Sequence, residues 1–414
     1  MDFGWYVFFR AVVLPILAMV GIMSAVPVWI WLERKFSALM QQRLGPNRVG
    51  PFGLLQPLAD AAKLLFKEDI TPAHVDRLVY LMAPVIALIP ALASFAVVPF
   101  GHDLGVRQYL LWGPVVGTLP AQVADVNVGV LVVLALSSLA VYGVVLAGWS
   151  SNNKWSLLGG IRSAAQMVSY ELGLGLSIVA IVITNSAYGT GQGLASLSLN
   201  TAVMSQQGIS ILGWNFIWHF PAFVLFCICA LAETNRAPFD LPEAEQELTG
   251  GFHTEYSAFR FAMFFMGEYA AMTTLSAVGI SLFLGGWLSP FANVPVIGWL
   301  TVDNIPVLGA LAPIFWFSLK VFLVVCVFIW VRFTLPRLRW DQLMKLGWMV
   351  LLPLGLLWVT VVGVLQGIAL AVAGPQGASG FGASDAYKAL VLLAYLVLAV
   401  IMFLRKPGRR AAAS

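Results

Sequence analysis

The residues of this chain best suited to chemistry are carboxylates that lie at or within long apolar stretches. Glu171 begins one such stretch, Glu233 ends another, and Glu268 lies well inside a third, between FFM and AAM. A charge at the centre of a bilayer costs on the order of 3 kcal/mol, so such an acid needs a partner, water or a neutral form. Carboxylates held near neutrality can pass protons along a file, because each takes and gives a proton at modest cost.

An acid-rich segment, AETNRAPFDLPEAEQELTGGFHTEY, connects two of these stretches. It holds five further carboxylates: Asp240, Glu243, Glu245, Glu247 and Glu255. On a helix Glu243 and Glu247 would repel each other, which predicts a raised pKa for at least one of them. An ordinary solvated loop explains Glu243 and Glu245 equally well. Glu268 follows Glu255 by thirteen residues, a distance of about 20 Å if the segment is helical.

Two further groups of polar residues lie next to apolar stretches. Arg162, Gln166 and Ser169 are spaced as one face of a helix, with Tyr170 beside them, and this face should meet protein or a cavity rather than lipid. A structural contact between helices explains it as well as a ligand does. Glu33 is the first residue of a Glu-Arg-Lys triplet at the end of the first apolar stretch. The two basic residues can anchor the helix at the membrane interface, but this anchoring does not explain an acid at the same place.

The elements that position these residues are transmembrane helices. Of 414 residues, 60% are hydrophobic and 10% are charged, with a mean hydropathy of +0.88, whereas soluble domains carry about 25% charged residues. The sequence predicts an all-α, polytopic membrane bundle. Nine apolar segments are long enough to be spans: 10–32, 79–100, 128–149, 165–186, 216–233, 258–287, 311–333, 346–372 and 388–404.

The basic residues predict the orientation of the chain. With nine spans, 19 of the 23 Lys and Arg residues fall on one side. The positive-inside rule places that side in the cytoplasm, with the N-terminus outside and the C-terminus inside. The N-terminus has no basic region and no cleavage site, which favours a retained span over a signal peptide. The Ala-, Val- and Leu-rich composition suits a bacterial plasma membrane.

The first cytoplasmic loop contains one more helix, in GLLQPLADAAKLLFKED. Gln56, Asp60, Lys63 and Lys67 share one face, and leucines occupy the other. Such an amphipathic helix lies in the membrane interface. The preceding RLGPNRVGPFG is a Gly/Pro-rich bend.

The cysteines and histidines predict neither a metal site nor a redox centre. Cys227, Cys229 and Cys326 all lie in apolar stretches, where cysteine usually acts as a small hydrophobe. The four histidines are scattered without helical pair spacing, so neither zinc, an iron–sulfur cluster nor a haem is indicated.

Several long motifs resemble one known family. They include ERKFSALMQQRLGPNRVGPFGLLQPLADAAKLLFKE, ADVNVG, AGWSSNNKWSLLGGIRSAAQMVSYE, the acid-rich segment and RFTLPRLRWDQLMKLGWMVLLPL. In order and spacing they are similar to the H subunit of bacterial type I NADH dehydrogenase (complex I), whose organellar counterpart is NADH dehydrogenase subunit 1. The resemblance covers about residues 5–372. We therefore divide the chain into a family membrane domain, 1–372, and an extension with the ninth span, 373–414; segment 101–124 is longer than the family pattern.

The resemblance implies a role for each candidate residue. In this family, the H subunit forms much of the tunnel for ubiquinone or menaquinone and the first part of an acidic path for proton coupling. Tunnel and chamber positions match Glu33, Arg34, Arg43, Gln56, Asp60, Arg162, Arg236 and Phe239. The acidic path matches Tyr170, Glu171, Glu233, Asp240, Glu243, Glu245, Glu247, Glu255 and Glu268.

The resemblance also implies partners. This chain would be one subunit of a proton-translocating NADH:quinone oxidoreductase, with quinone as substrate and no redox cofactor of its own. FMN and the iron–sulfur clusters would belong to partner subunits. The partners would be the quinone-site and iron–sulfur subunits of the hydrophilic arm, small membrane-arm subunits and antiporter-like subunits, with membrane lipid around them and no nucleic acid.

Two other functions remain as alternatives. Homologous subunits serve membrane-bound hydrogenases and complexes that oxidise deazaflavin cofactors or ferredoxin, and the electron donor binds outside this chain. A stand-alone ion-coupled transporter would also use intramembrane acids. Transporters commonly have inverted repeats, however, and the sequence has no clear internal repeat.

Overall fold

The regular secondary structure of the described residues is helical, apart from one antiparallel pair of two-residue strands. The computed structural model describes residues 9–101, 104–105, 118–119, 122–186, 197–207, 210–241, 249–291, 312–373 and 383–404. Its helices are α1 (Leu14–Met40), α2 (Gln56–Phe66), α3 (Arg77–Ala93), α4 (Gly129–Ser150), α5 (Lys154–Ser186), α6 (Leu199–Met204), α7 (Asn215–Trp218), α8 (Phe220–Glu233), α9 (Ala258–Phe283), α10 (Ala312–Thr334), α11 (Trp340–Lys345), α12 (Leu352–Ala373) and α13 (Ala383–Leu404). Strands β1 (Leu104–Gly105) and β2 (Thr118–Leu119) pair antiparallel, with Leu104 opposite Leu119.

Seven helical stretches among the described residues are long and apolar enough to cross a membrane. They are Ala11–Met40, Arg77–Val97, Gly129–Ser150, Lys154–Asn185, Ala258–Phe283, Ala312–Thr334 and Trp340–Val372. Shorter apolar helices cover Phe220–Glu233 and Ala386–Leu396, at the predicted fifth and ninth spans. The predicted fold class, a polytopic helical membrane bundle, is confirmed. α8 has 14 residues and a length of about 21 Å, less than the roughly 30 Å of a bilayer core.

Two helices extend beyond the predicted spans at the ends that carry candidate residues. α1 continues to Met40 and α5 begins at Lys154, whereas the sequence predicted boundaries at 32 and 165. Hydropathy marks where apolar residues stop, but a helix continues through polar residues of good helix propensity. Glu33 and Arg162 therefore lie on helices. Glu171 lies in the middle of α5 and does not begin a span.

Small residues set the contacts between neighbouring helices. α3, α4 and α5 pack in succession, α5 also packs against α8 and α12, and α9 packs against α3 and α10. A Cβ atom at Gly143 of α4 would come within 2.5 Å of the Ala87 backbone nitrogen on α3, so only glycine allows this approach. Close backbone contact of this kind is typical of membrane helices.

A tight turn places the chain before α9. A Cβ atom at Gly159 of α5 would lie 2.7 Å from Gly251 Cα, in the 3-10 turn Gly251–His253. Gly251 has a φ of 65°, a conformation that favours glycine. Because α9 begins only at Ala258, Glu255 precedes the helix. The segment from Glu255 to Glu268 is therefore not helical throughout, so the condition for a spacing of about 20 Å is not met.

The ninth predicted span packs on the bundle. α13 contacts α12, and Tyr387 of α13 stacks on His219, with 5.6 Å between the ring centroids. The Tyr395 hydroxyl donates to the Trp218 carbonyl at 3.3 Å. The extension therefore contacts Trp218 and His219, the two residues that directly precede α8.

Candidate functional site

The most concentrated group of charges in the described chain surrounds Glu33, and we call it the Glu33 cluster. Its members are Glu33 on α1, Arg236 after α8, Tyr269 on α9 and Arg332 on α10. The Tyr269 hydroxyl donates to Glu33 Oε2 at 2.7 Å, and Arg236 Nη1 lies 3.3 Å from the same oxygen. Arg332 forms an ion pair with Glu33 Oε1. Four separate parts of the chain therefore meet at one carboxylate.

Arg236 is the buried member of the Glu33 cluster. Its guanidinium carbon lies 4.1 Å from the centroid of the Tyr269 ring, a cation–π arrangement. Only 5% of the residue is exposed, and its Nε and Nη2 atoms have no hydrogen-bond partner among the described residues. An orphaned buried donor is costly unless something else accepts from it. This side chain thus has two donors available for a ligand.

An apolar cavity of about 790 Å³ lies beside the Glu33 cluster. It is bordered by α1, the end of the α3 region, α9 and α10, and its wall includes Gly21, Trp29, Phe95, Phe100, Thr273 and Phe322. Trp29 and Thr273 are hydrogen-bonded at 3.1 Å. Trp29 precedes Glu33 by four residues, and Thr273 follows Tyr269 by four residues, in each case about one helical turn. An apolar chamber and a charged cluster therefore lie one turn apart on the same two helices.

Gln166 joins α5 to the segment that carries Arg236. Its amide nitrogen donates to the carbonyls of Ala232 at 2.8 Å and Phe239 at 2.7 Å. The Tyr170 hydroxyl donates to the Leu343 carbonyl at 3.0 Å, and its ring lies 5.5 Å from that of Phe239. The predicted polar stripe does face protein, as Gln166 and Tyr170 are both buried.

The acids Glu171 and Glu233 lie on neighbouring helices, and two serines of α4 contact Glu171. Ser138 of α4 is hydrogen-bonded to Glu171 Oε1, and Ser137 Oγ lies 3.3 Å from the same oxygen. Glu233, 5% exposed, interacts electrostatically with Glu171. The structure therefore brings together two of the predicted acids.

Three predicted residues form a smaller group where α1 and α2 meet. Arg34 and Asp60 form an ion pair between α1 and α2, and Gln56 Nε2 donates to Asp60 Oδ1 at 3.1 Å. The predicted amphipathic helix is present as α2. Arg43 lies apart, with its Nε donating to Gln41 at 2.6 Å.

The remaining predicted acids are more dispersed. Glu255 accepts from Asn153 at 2.8 Å through Oε1 and from the Tyr80 hydroxyl at 2.8 Å through its carbonyl. Burial raises the pKa of the adjacent Tyr256 phenol. Glu268 precedes Tyr269 and interacts electrostatically with Arg236.

For the other candidate residues the structure gives a location or a single contact, or does not describe the residue. Asp240 follows Phe239, and its carbonyl accepts from Arg337. Arg162 lies on α5, one turn before Gln166. Glu243, Glu245 and Glu247 fall outside the described residues.

Four residues of these groups were absent from the sequence-based candidates. Arg332 was only one of the basic residues that predicted the orientation of the chain, and Glu268 was selected without its neighbour Tyr269. Ser137 and Ser138 lie in a span without charges. A tyrosine beside an intramembrane acid was a usable signal, whereas serines are too common in membrane helices to stand out.

No group of three or more His, Cys, Asp or Glu side chains within the described ranges could hold a metal ion. Cys227, Cys229 and Cys326 are free. The site consists of carboxylates, guanidinium groups and hydroxyls beside an apolar chamber. Such groups bind a ligand with a polar head and move protons.

The fold and the site define a multi-pass membrane protein with buried acid–base clusters beside a lateral apolar cavity. Comparison with known proteins identifies the family. The protein-family model described as NADH dehydrogenase matches residues 12–363 of this chain. This chain belongs to that family, as an H subunit of the NADH-quinone oxidoreductase type.

The relatives match over most of their length. The chain is 47% identical over 350 residues to the NADH-quinone oxidoreductase H subunit 2 of Koribacter versatilis, covering 84% of this chain and 94% of that protein. It is 49% identical over 338 residues to the NADH-quinone oxidoreductase H subunit 1 of Geobacter sulfurreducens, covering 81% and 88%. For the NADH-quinone oxidoreductase H subunit of Rhodospirillum rubrum the identity is 47% over 352 residues, covering 85% and 90%.

Proposed function

We propose that this chain is the complex I subunit that admits quinone from the membrane and couples its reduction to proton translocation. The observation that carries the proposal is the apolar cavity of about 790 Å³ one helical turn from the Glu33 cluster. A quinone has the same two parts, an apolar isoprenoid tail and a polar head with two carbonyl oxygens. The names of the relatives favour quinone over hydrogenase or deazaflavin chemistry.

The cavity suits the tail and the Glu33 cluster suits the head. Mostly apolar side chains line the cavity, and Trp29 and Thr273 of its wall are hydrogen-bonded to each other. Beyond them, the unpaired Nε and Nη2 atoms of Arg236 could donate to a carbonyl oxygen. The Arg34–Asp60 pair and Gln56 on the interfacial helix would border the approach to the hydrophilic arm.

The acids would form the first part of the proton path. Reduction of the quinone changes the charge near the Glu33 cluster, and Glu268 interacts with Arg236 in that cluster. Such a change would alter the proton affinity of neighbouring carboxylates, because nearby charges shift a pKa. Protons would then move by way of Glu171 and Glu233, with Tyr170 beside them. Asp240, Glu243, Glu245, Glu247 and Glu255 would extend the path on the cytoplasmic side.

The proposed setting is a bacterial plasma membrane, with the N-terminus outside. The basic loop between α1 and α3 would then face the hydrophilic arm, whose subunits carry FMN and iron–sulfur clusters. Small membrane-arm subunits and antiporter-like subunits would flank this chain within the bilayer. Menaquinone and ubiquinone suit the cavity equally, since both carry an isoprenoid tail.

Filling the cavity tests the quinone assignment. Gly21 lines the cavity, and a Cβ atom there would meet nothing within 4 Å, so Gly21→Phe places a ring in the open space. We expect the KM for a quinone with a long isoprenoid tail to rise about tenfold or more, the usual scale of steric discrimination. The KM for a quinone with one isoprene unit should change much less. Steady-state NADH:quinone reduction by the purified complex measures both.

Gly363→Phe is the matched control. Gly363 is an exposed helical glycine of α12, also with nothing within 4 Å of a Cβ atom, and it lies outside the cavity wall. Its substitution should leave both KM values unchanged. Equal KM values for Gly21→Phe and the wild type with the long-tailed quinone would contradict the proposed tail site.

A further inference from the structure

The carboxyl group of Glu255 is held at only one of its two oxygens. Asn153, the residue directly before α5, donates from Nδ2 to Glu255 Oε1 at 2.8 Å. The other oxygen, Oε2, is not buried and has no hydrogen-bond partner among the described residues. One oxygen is therefore fixed by an amide, and the other is left available to water.

The first turn of α5 determines which way the Asn153 amide points. Asn153 Oδ1 accepts from the Trp155 backbone N–H at 3.1 Å, and the Asn153 carbonyl accepts from the Leu157 N–H at 2.9 Å. These two contacts make Asn153 the N-cap of the helix. Because a backbone N–H can only donate, the side-chain oxygen must face Trp155 and the NH2 group must face Glu255. The direction of the donor is therefore set by the helix.

The backbone around Glu255 is held by other contacts. The Tyr80 hydroxyl of α3 donates to the Glu255 carbonyl at 2.8 Å, and the Tyr256 hydroxyl donates to the Tyr80 carbonyl at 3.1 Å. The rings of the two tyrosines are stacked, with 4.2 Å between their centroids. Arg260, in the first turn of α9, forms an ion pair of 2.8 Å with Asp69. Loss of the Asn153 contact would therefore release the carboxyl group while its backbone stays in place.

A structural explanation of the Asn153–Glu255 contact is that it joins α5 to the turn before α9. That junction, however, has contacts of its own. The Ser156 hydroxyl donates to the Phe252 carbonyl at 2.9 Å, and Gly159 lies against the backbone of the same turn. Because these residues already attach α5 to the turn, the attachment does not depend on the Asn153 amide.

We propose that Asn153 is a positioning residue for Glu255, which holds Oε1 so that Oε2 exchanges protons with water at the cytoplasmic end of the proton path. The inference rests on the proposed path and adds to it the residue that orients one of its acids. A hydronium ion transfers its proton to Oε2 and becomes water, while the Glu255 carboxylate becomes a carboxyl group. The amide takes no part in the transfer, but it keeps the accepting oxygen in one place, and acid–base groups depend on such fixed geometry.

Serine and aspartate at position 153 separate the amide from the helix cap. Both are good N-cap residues, so Asn153→Ser and Asn153→Asp keep the first turn of α5. Asn153→Ser removes the N–H donor, and Asn153→Asp replaces it with a carboxylate that faces Glu255. Tyr80→Phe is the matched control, since it removes the hydrogen bond to the Glu255 carbonyl and keeps the stacked ring.

Each variant is assayed in the intact complex, reconstituted into vesicles, for the rate of quinone-dependent proton translocation. NADH oxidation by ferricyanide reports whether the complex has assembled. We expect Asn153→Ser to slow translocation about tenfold, less than the usual loss when a positioned acid–base group is removed. Asn153→Asp should slow it further because like charges repel, and Glu255→Gln should slow it most. Tyr80→Phe should retain the wild-type rate.

The outcomes separate the positioning role from the path. If Glu255→Gln stops translocation while Asn153→Ser keeps the wild-type rate, Asn153 has no positioning role and the path stands. If Glu255→Gln pumps normally, the path does not include this acid, and the inference fails with it. Equal losses in Asn153→Ser and Tyr80→Phe would indicate a structural role and overturn the inference.

Infrared spectroscopy reports on the carboxyl group directly. A protonated carboxyl whose carbonyl oxygen loses a hydrogen bond absorbs at higher frequency. In the redox-induced difference spectrum, Glu255→Gln should remove one carboxyl band. Asn153→Ser should move the same band to higher frequency, and Tyr80→Phe should leave it in place. A band that does not move in Asn153→Ser, or a spectrum that Glu255→Gln leaves unchanged, would contradict the positioning role.

Discussion

Two buried cations of this bundle, Arg236 and Lys320, have opposite kinds of surroundings. The Lys320 ammonium donates to the carbonyls of Leu284, Gly286 and Leu288 at 2.7, 2.8 and 2.7 Å, and it lies 4.1 Å from the centre of the Trp214 ring. All three of its N–H donors are thereby satisfied by backbone. Arg236 instead shares a carboxylate with Arg332, and its Nε and Nη2 donors have no partner among the described residues.

This difference separates a structural cation from one suited to a ligand. Backbone carbonyls cannot take up a proton, so the surroundings of Lys320 stay fixed when charges elsewhere change. The carboxylate and phenol beside Arg236 can change partner, and its free donors can bind a ligand. The two sites also lie in opposite halves of the bundle, since Lys320 precedes Arg332 on α10 by twelve residues, about 18 Å.

Removal of the carboxylate at the Arg236 site should have the largest effect. Glu33→Gln leaves two guanidinium groups without their shared counter-charge, and breaking a buried pair in this way costs about 3–5 kcal/mol. We expect NADH:quinone turnover to fall below about one-tenth of the wild-type rate, while NADH:ferricyanide activity persists in the assembled complex.

The matched control for Glu33→Gln is Glu68→Gln, at an exposed acid just after α2. It should retain full quinone turnover. Wild-type values of kcat and KM in Glu33→Gln would contradict the distinction between Arg236 as a cation suited to a ligand and Lys320 as a structural one.

Loss of the Lys320 ammonium should affect stability rather than quinone kinetics. Lys320→Met leaves three carbonyls without their donor, and each unsatisfied buried group costs about 1–3 kcal/mol before water or local rearrangement compensates. We expect a lower midpoint of thermal dissociation of the complex with an unchanged KM for quinone. A changed KM at unchanged thermal stability would instead assign Lys320 a functional role.

The sequence was sufficient to predict the bundle, because hydropathy and basic residues report directly on the membrane. It also pointed to Glu33, Glu171 and Glu233, since a carboxylate in or at the end of an apolar span is costly and therefore conspicuous. Their partners were harder to predict. Glu33 and Arg332 are 299 residues apart, and no local pattern says that α1 and α10 meet. Ser137 and Ser138 differ from other serines of the spans through their contact with Glu171 on the neighbouring helix.

The smallest expected effect concerns the ninth span, where the contact is a stacked Tyr–His pair rather than a buried cation such as Arg236 or Lys320. The Tyr387 hydroxyl lies 3.5 Å from His219 Nδ1, long for a hydrogen bond, while most of the contact is ring stacking. Tyr387→Phe keeps the stacking, so we expect a destabilisation of less than about 1 kcal/mol. Thermal dissociation of the complex measures it, and Tyr142→Phe, at an exposed tyrosine of α4, controls for the loss of a hydroxyl. Quinone turnover should be unchanged in both variants. A loss of turnover in Tyr387→Phe alone would mean that the extension acts on the site as well as on the stability of the bundle.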